Sequence, residues 1–511
     1  MKHEKLANAL NEINDEYIAE AMRSKKRSPW GWVSAVAALL AVAITALAVL
    51  KPLAGEPAQL AYHPTAPAIT TPEQTPPKST PPERTGSWPL TAFAPSQQLS
   101  GQVAAPVYPQ LALFPYSQDG YIDDQQAYNA WVASRQAQYD QPAGYADSLE
   151  GYFLQSIPAL LDASRDENPV CSPANIYMAL AMLAETSDGQ TRQEILTLLG
   201  ADSIESLRTQ AGYVWNANYK NDGATTCLLA NSLWLDQAYP YNQATADLLA
   251  KDYYASVFCG DLGSDEMNRS LQSWLNENTG GLLQEQASQV QLDPNTAMAL
   301  ASTIYYSAKW DGGFWAEHTA EDIFHAPGGD VTAPFMHAAH PHSHYYAGED
   351  FTATNLSLQD GSKMWLILPK EGCTPEDILA SGHAMATVLS PESYPRISAT
   401  VNLSVPKFDV TGDMEISDTL KKLGIRQAFG TDGDYSPILP ESDVFLSRVN
   451  HAARVKIDEE GVEAAAYTVM VLAATGMMPE DEVEFKLDRP FVFVITGSED
   501  LPLFAGIVNN P

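Results

Sequence analysis

The chain is 511 residues long and sets 63 Asp and Glu against 29 Lys and Arg, for a net charge of −34. So acidic a chain is excluded as a nucleic-acid binder, because phosphate contacts rely on clustered Lys and Arg. Its length and 45% hydrophobic content suit one large globular core, and its four widely spaced cysteines, Cys171, Cys227, Cys259 and Cys373, form no Cys-x-x-Cys unit and are expected to be buried and free.

Residues 1–29 are polar and end in a positive cluster, Lys25, Lys26 and Arg27, just before the uncharged run 30–50. That run meets the ~20-residue requirement for a bilayer span. Trp30 and Trp32 stand at its interfacial end, and the cluster before it predicts a cytoplasmic N-terminus with the rest of the chain outside. The rival is a cleaved signal peptide, whose apolar region is only ~7–15 residues behind a short leader. Residues 30–50 are therefore read as an uncleaved single-pass anchor, the protein being secreted only if that anchor is clipped.

Residues 51–120, with Pro76-Pro77 and Pro81-Pro82, show no apolar period and predict an extended Pro/Thr-rich tether. Within 121–144, Tyr128, Trp131, Val132 and Tyr139 predict a short additional helix. The globular domain is placed at 145–511 and opens on a helix.

Further along, His337, His340, His342 and His344 have spacings that can chelate zinc. Pro341 interrupts them, so the segment is read as a polar loop after a strand ending near Met336, with no metal. There is no Gly-x-Ser-x-Gly elbow, no His-Glu-x-x-His and no phosphate-cradling Gly loop. No cofactor and no enzymatic activity are expected.

The stretch 456–479 is unusual. From Val462 onward one alternation, Val462, Ala464, Ala466, Thr468, Met470 and Leu472, carries no charge, while the other runs Glu463, Ala465, Tyr467, Val469, Val471 and Ala473. A strand entering the middle of a sheet needs such an uncharged face. The Ala-rich part also scores as helix, against which stand Gly461, Gly476 and the β-branched residues. The letters alone leave an ordinary buried strand and an inserting one both open.

The segment Glu459, Glu460, Gly461, Val462, Glu463, Ala464, Ala465, Ala466 resembles the reactive-loop hinge of the serpins, and Asp488 to Phe493 with Phe504 to Pro511 resembles that family's C-terminal strands. Asn168 to Leu183, Asp188 to Thr191 and Ser302 to Trp310 are similar to serpin segments in the same order. The resemblance, to a membrane-anchored bacterial serpin, implies an α+β fold of three β-sheets surrounded by about eight or nine helices, with an exposed reactive-centre loop. It implies a shutter beneath the central sheet at Ser172, Pro173, Asn175, Ser302 and His451, and a breach at Trp310, where insertion begins. Asn175 stands where the family usually has Ser, and Ser302 where it usually has Asn.

Counted from Gly461 at the family's spacing, the reactive bond falls between Thr475 and Gly476. The implied function is suicide inhibition of a serine protease, elastase-like or subtilisin-like because Thr475 is small, with cysteine proteases as the lesser alternative. The protein is expected to be a monomer. The stretch 204–222 offers only Arg208 and Lys220 as cations, so no heparin-like polyanion is expected as a partner. The rival functions are a non-inhibitory carrier of the same fold and a surface adhesion or structural module.

Overall fold

The computed structural model describes residues 99–115, 124–162, 167–440, 444–446, 449–462 and 481–511. The chain divides into Met1–Pro81 and Pro82–Pro511, and all described residues belong to the second unit. Segments 1–29 and 30–50, and the tether as far as residue 98, lie outside the described residues. No helix among the described residues is long and apolar enough to cross a membrane.

The strands in chain order are β1 (Gln102–Ala104), β2 (Val170–Cys171), β3 (Lys220–Asn221), β4 (Thr226–Asp236), β5 (Ala255–Gly260) and β6 (Met298–Lys309). There follow β7 (Thr319–Ala326), β8 (Gly329–Ala347), β9 (Phe351–Ser357), β10 (Lys363–Pro369), β11 (Ile397–Pro406) and β12 (Phe408–Glu415). The last are β13 (Asn450–Ile457), β14 (Gly461–Val462), β15 (Asp481–Lys486), β16 (Phe491–Thr496) and β17 (Pro502–Val508). They form two sheets. The first runs β1-β5-β4-β6-β14-β13-β12, with β3 on β4; the second runs β15-β11-β8-β9-β10-β16-β17-β2, with β7 on β8.

Local sequence explains these elements. β16 and β17 are buried at every residue, as expected of near-continuous apolar runs covered on both faces. The helix Pro173–Glu185 starts where Ser172 Oγ accepts from the Asn175 N–H at 3.3 Å, with Pro173 in the first turn, where a missing N–H costs nothing. Almost all of that helix is buried beneath the first sheet.

Two expectations are corrected. Two hydrogen-bonded sheets replace the expected three, because the 19-residue β8 pairs with β7 and β11 and also with β9, fusing two of them. Within 145–511 the described residues hold ten α-helices of six or more residues rather than eight or nine, beside the separate helix Gln125–Ser134 in the stretch 121–144. Four of these, Gln284–Gln289, Pro375–Ser381, His383–Leu389 and Ser417–Lys422, are too short to show an apolar period.

The histidine cluster is likewise strand rather than loop, since β8 runs through all four residues. His342 takes φ +58° at a register shift, so Pro341 is absorbed by a bulge. No group of three or more His, Cys, Asp or Glu among the described residues is arranged to hold a metal. All four cysteines are free, Cys171 and Cys227 buried and the other two half-buried.

Residues ahead of 145 pack on the domain. β1, within the stretch read as tether, adds an edge strand to β5, where the Cys259 N–H donates to the Gly101 carbonyl at 2.7 Å. Tyr108 stacks on Trp215 at 5.8 Å and on Tyr219 at 5.9 Å. The helix Gln125–Ser134 carries Trp131, whose indole donates to Asp222 at 2.8 Å.

Candidate functional site

Between β6 and β13 the first sheet is joined through β14 alone among the described residues, with Gly461 opposite Lys309, Val462 opposite Ala308, and Ile457 opposite Val462. Glycine is required here, because a Cβ on Gly461 would run into the Ala308 carbonyl and lie 2.8 Å from Lys309 Cα. Val462 is 2% exposed and shares the core-facing side with Ala308.

The turn before β14 is held on several sides. Trp310 donates its backbone N–H to the Glu460 carbonyl at 3.1 Å and its indole N–H to the Asp458 carbonyl at 2.9 Å. Glu459 is gripped by Lys407 Nζ at 2.6 Å and by the Thr319 hydroxyl at 2.7 Å. Burial alone would lift the Glu459 carboxyl, but the bonds from Lys407 and Thr319 outweigh it and hold the group below the ordinary carboxylate range.

Lower down, Ser172, Pro173 and Asn175 at the start of their helix meet Ser302 of β6 and His451 of β13. His451 Nε2 accepts from the Ser172 N–H at 2.9 Å, and the Ser302 hydroxyl donates to the Asn175 carbonyl at 3.2 Å. Contacts thus run to backbone groups of residues 172 and 175. Among the described residues, the buried Asn175 side-chain amide has no hydrogen-bond partner at either atom, and neither does His451 Nδ1. Burial draws the His451 pKa down to about 4, so the ring is neutral.

Sequence reasoning missed three participants. Asn231 of β4 is buried directly across from Ser302, and both its amide atoms lack partners among the described residues. The signal was a lone amide inside the apolar run of β4. Lys407 and Thr319 carried no signal, as each is distant in sequence from Glu459. Of the expected hinge, Glu463, Ala464, Ala465 and Ala466 lie outside the described residues, as do Thr475 and Gly476. A cavity of about 480 Å³ adjoins the lower part of β6 and β13, lined by Ala299 to Thr303 of β6, Ala452 of β13, and Leu271 and Leu275 of the helix Asp265–Glu277.

A large α+β domain whose main sheet is bridged by the first two residues of a long connecting segment defines the class. A family model described as Serpin (serine protease inhibitor) matches residues 153–511. The chain belongs to the serpin family, whose members are typically serine protease inhibitors. Serpin-ZX of Arabidopsis thaliana is 28% identical over 366 residues, covering 68% of this chain and 93% of that protein.

Among solved structures, the thermophilic serpin tengpin in its native state is similar with a TM-score of 0.65 at 24% identity, covering 72% of this chain and 95% of tengpin. Thyroxine-binding globulin in complex with thyroxine gives 0.61, also at 24% identity, over 71% of this chain and 99% of the globulin. At these identities the two structures speak to the fold alone.

Proposed function

We propose that the protein inhibits an elastase-like or subtilisin-like serine protease by a suicide mechanism, and that residues 463–475 enter the first sheet as a strand after the loop is cut. One observation carries this reading: β14 already lies between β6 and β13 with Val462 turned to the core. Extending its register puts Ala464 opposite Tyr306, Ala466 opposite Ile304 and Thr468 opposite Ser302. Directly opposed antiparallel residues share a face, and Tyr306 and Ile304 are buried. The uncharged alternation in the sequence therefore falls on the core side, and Glu463 on the other.

On the opposite wall the pair Ile457 and Val462 extends to His451 and Thr468. A hydroxyl would then arrive at the level of Ser302 and His451. Cleavage lets the strand in, and the acylated protease is carried along with it and distorted. The uncut form is held by a kinetic barrier, and insertion releases the stored difference.

The test is a panel of serine proteases incubated with the full chain and read on a denaturing gel. A covalent complex is expected with elastase-like or subtilisin-like members; cleavage without complex across the panel overturns the reading. In the same proposal, residues 30–50 anchor the domain outside the cell membrane. Protease added to intact cells should then reach the domain, and protection until lysis would refute the orientation.

A further inference from the structure

Among the described residues the histidines of β8 form no metal-binding arrangement, yet His340, His342 and His344 border a further cavity of about 390 Å³. It forms at the bulge. His340 stands opposite Val401 and Ser343 opposite Ala399, so Pro341 and His342 together face only Thr400 and the strand bends there. The rest of the wall is one face of the second sheet. Trp365 of β10 pairs with Asn355 of β9, and Lys363 with Ser357, two rows that project to the same side. The Tyr346 ring stands 5.2 Å from that of Trp365. Asp311 and Glu392, both exposed, complete the rim.

Two groups in this wall are unpaired. Trp365 is fully buried and its indole N–H has no hydrogen-bond partner among the described residues; the buried Nε2 of His340 has none either. A buried polar group without a partner is costly, and two of them bordering one cavity point to a molecule that bonds both. Both nitrogens are closed off from bulk water, where a hydrogen bond is stronger than at the surface.

The neighbouring charges narrow the chemistry. Lys363 Nζ lies 2.8 Å from Asp500, and Glu392 accepts from Arg396 at 2.6 Å, so each already has its counter-charge. Burial lowers the His340 pKa, and the ring is neutral at pH 7. Asp311 and Glu392 at the rim repel anions. A hydroxyl group both donates and accepts, so it serves the donor-only indole and either tautomer of His340. The volume falls within the range of small-molecule sites.

We propose that this cavity binds a neutral, polyhydroxylated molecule of sugar size, whose hydroxyls bond Trp365 Nε1 and His340 Nε2 with Asn355 and Ser357 as further polar partners. The inference stands apart from the inhibitor reading and does not depend on it.

The test is calorimetric titration of the full chain, kept in a detergent without a sugar headgroup, with glucose, maltose and N-acetylglucosamine. Saturable binding is expected for at least one of them. Glucuronate, which adds a negative charge to the same ring, should bind more weakly. His340→Phe and Trp365→Phe each remove one of the unpaired nitrogens and should weaken binding roughly tenfold, the equivalent of one lost hydrogen bond to a buried group. His340→Gln, whose amide still donates and accepts, should bind nearly as tightly as the wild type. Should Trp365→Phe fail to fold, the two His340 variants carry the test. No saturable binding by any of the three sugars would overturn the inference, as would unchanged affinity in His340→Phe or a preference for glucuronate.

Discussion

At the top of the opening, Glu459 is gripped by Lys407 and Thr319 while Trp310 donates to the carbonyls of Asp458 and Glu460. Lower between the same two strands, Asn175, Asn231 and His451 keep buried polar atoms with no partner among the described residues. The two regions flank the same pair of strands, β6 and β13, yet only the second keeps buried polar side-chain atoms unpaired among the described residues. Each buried polar group left unpaired costs about 1–3 kcal/mol. If residues 463–475 enter as proposed, the sheet is fastened where that strand enters and, among the described residues, holds unpaired polar atoms where it comes to rest. Such a distribution suits a fold held by a barrier rather than by its equilibrium stability.

The most severe way to break this comparison is to spoil the arriving strand. Under the proposed insertion, the register of β14 carried two residues further would set position 464 between Tyr306 and Val455, both buried, so Ala464→Arg would bury an unpaired charge on insertion. The variant should be cut as a substrate and release active protease, with no complex surviving denaturation. Stability of the uncut chain should stay within about 0.5 kcal/mol, as for most exposed substitutions. A wild-type yield of complex would show that the strand does not enter in this register.

The second effect comes from His451, whose pKa falls from the ordinary 6.5 to about 4 because it is buried. The folded form then binds fewer protons than the unfolded one between these values, so stability is intact above pH 6.5 and is lost as pH falls toward 4. The loss amounts to about 3 kcal/mol at 1.36 kcal/mol per pKa unit. Protonation would also cost Nε2 its role as acceptor for Ser172. Urea unfolding at pH 7, 5.5 and 4 should show this loss in the wild type and a shallower one in His451→Phe; equal slopes would remove the histidine from the account.

How far the sequence foretold this arrangement depends on the range of each signal. β16 and β17 fall where Asp488 to Phe493 and Phe504 to Pro511 resemble the family's C-terminal strands; the capped start of the helix at Ser172 is just as local a pattern, but it was not singled out in the sequence. Gly461 was legible as part of a motif, although its steric reason appears only once Ala308 is seen beside it. β1 was not legible, because three residues, Gln-Val-Ala, in a Pro-rich stretch gain their strand character from pairing with β5. Lys407 and Glu459 are far apart in the chain, and no spacing rule connects them. The histidines of β8 misled because Pro341 usually ends a strand, and here a bulge accommodates it.

A smaller effect is expected from the clamp at the top. Lys407 is about a third exposed and Glu459 is 15% exposed, so solvent screens part of their attraction. Lys407→Met should cost about 1–2 kcal/mol, below the range for a fully buried pair. Because it loosens the entrance, it should also speed spontaneous insertion on mild warming, seen as monomer that no longer inhibits and resists loop cleavage. A loss of stability with no change in that rate would mean that the clamp only stabilises the fold.

The smallest effect carries the opposite sign and bears on the under-bonded middle. Asn231 is buried on β4, directly across from Ser302, and neither atom of its amide is bonded among the described residues. Leucine has nearly the same shape, and it removes the unsatisfied group instead of exposing a cavity. Asn231→Leu should therefore raise the stability of the uncut form by about 1 kcal/mol, near the lower end of the penalty for an unpaired buried group. The same substitution should slow insertion, since the uncut form becomes the better-satisfied state. Chemical denaturation and the rate at which a synthetic peptide of residues 462–475 anneals into the uncut protein read the two effects separately. Destabilisation by Asn231→Leu would mean that the amide is bonded in solution, and the contrast between the fastened top and the under-bonded middle would then rest on Asn175 and His451 alone.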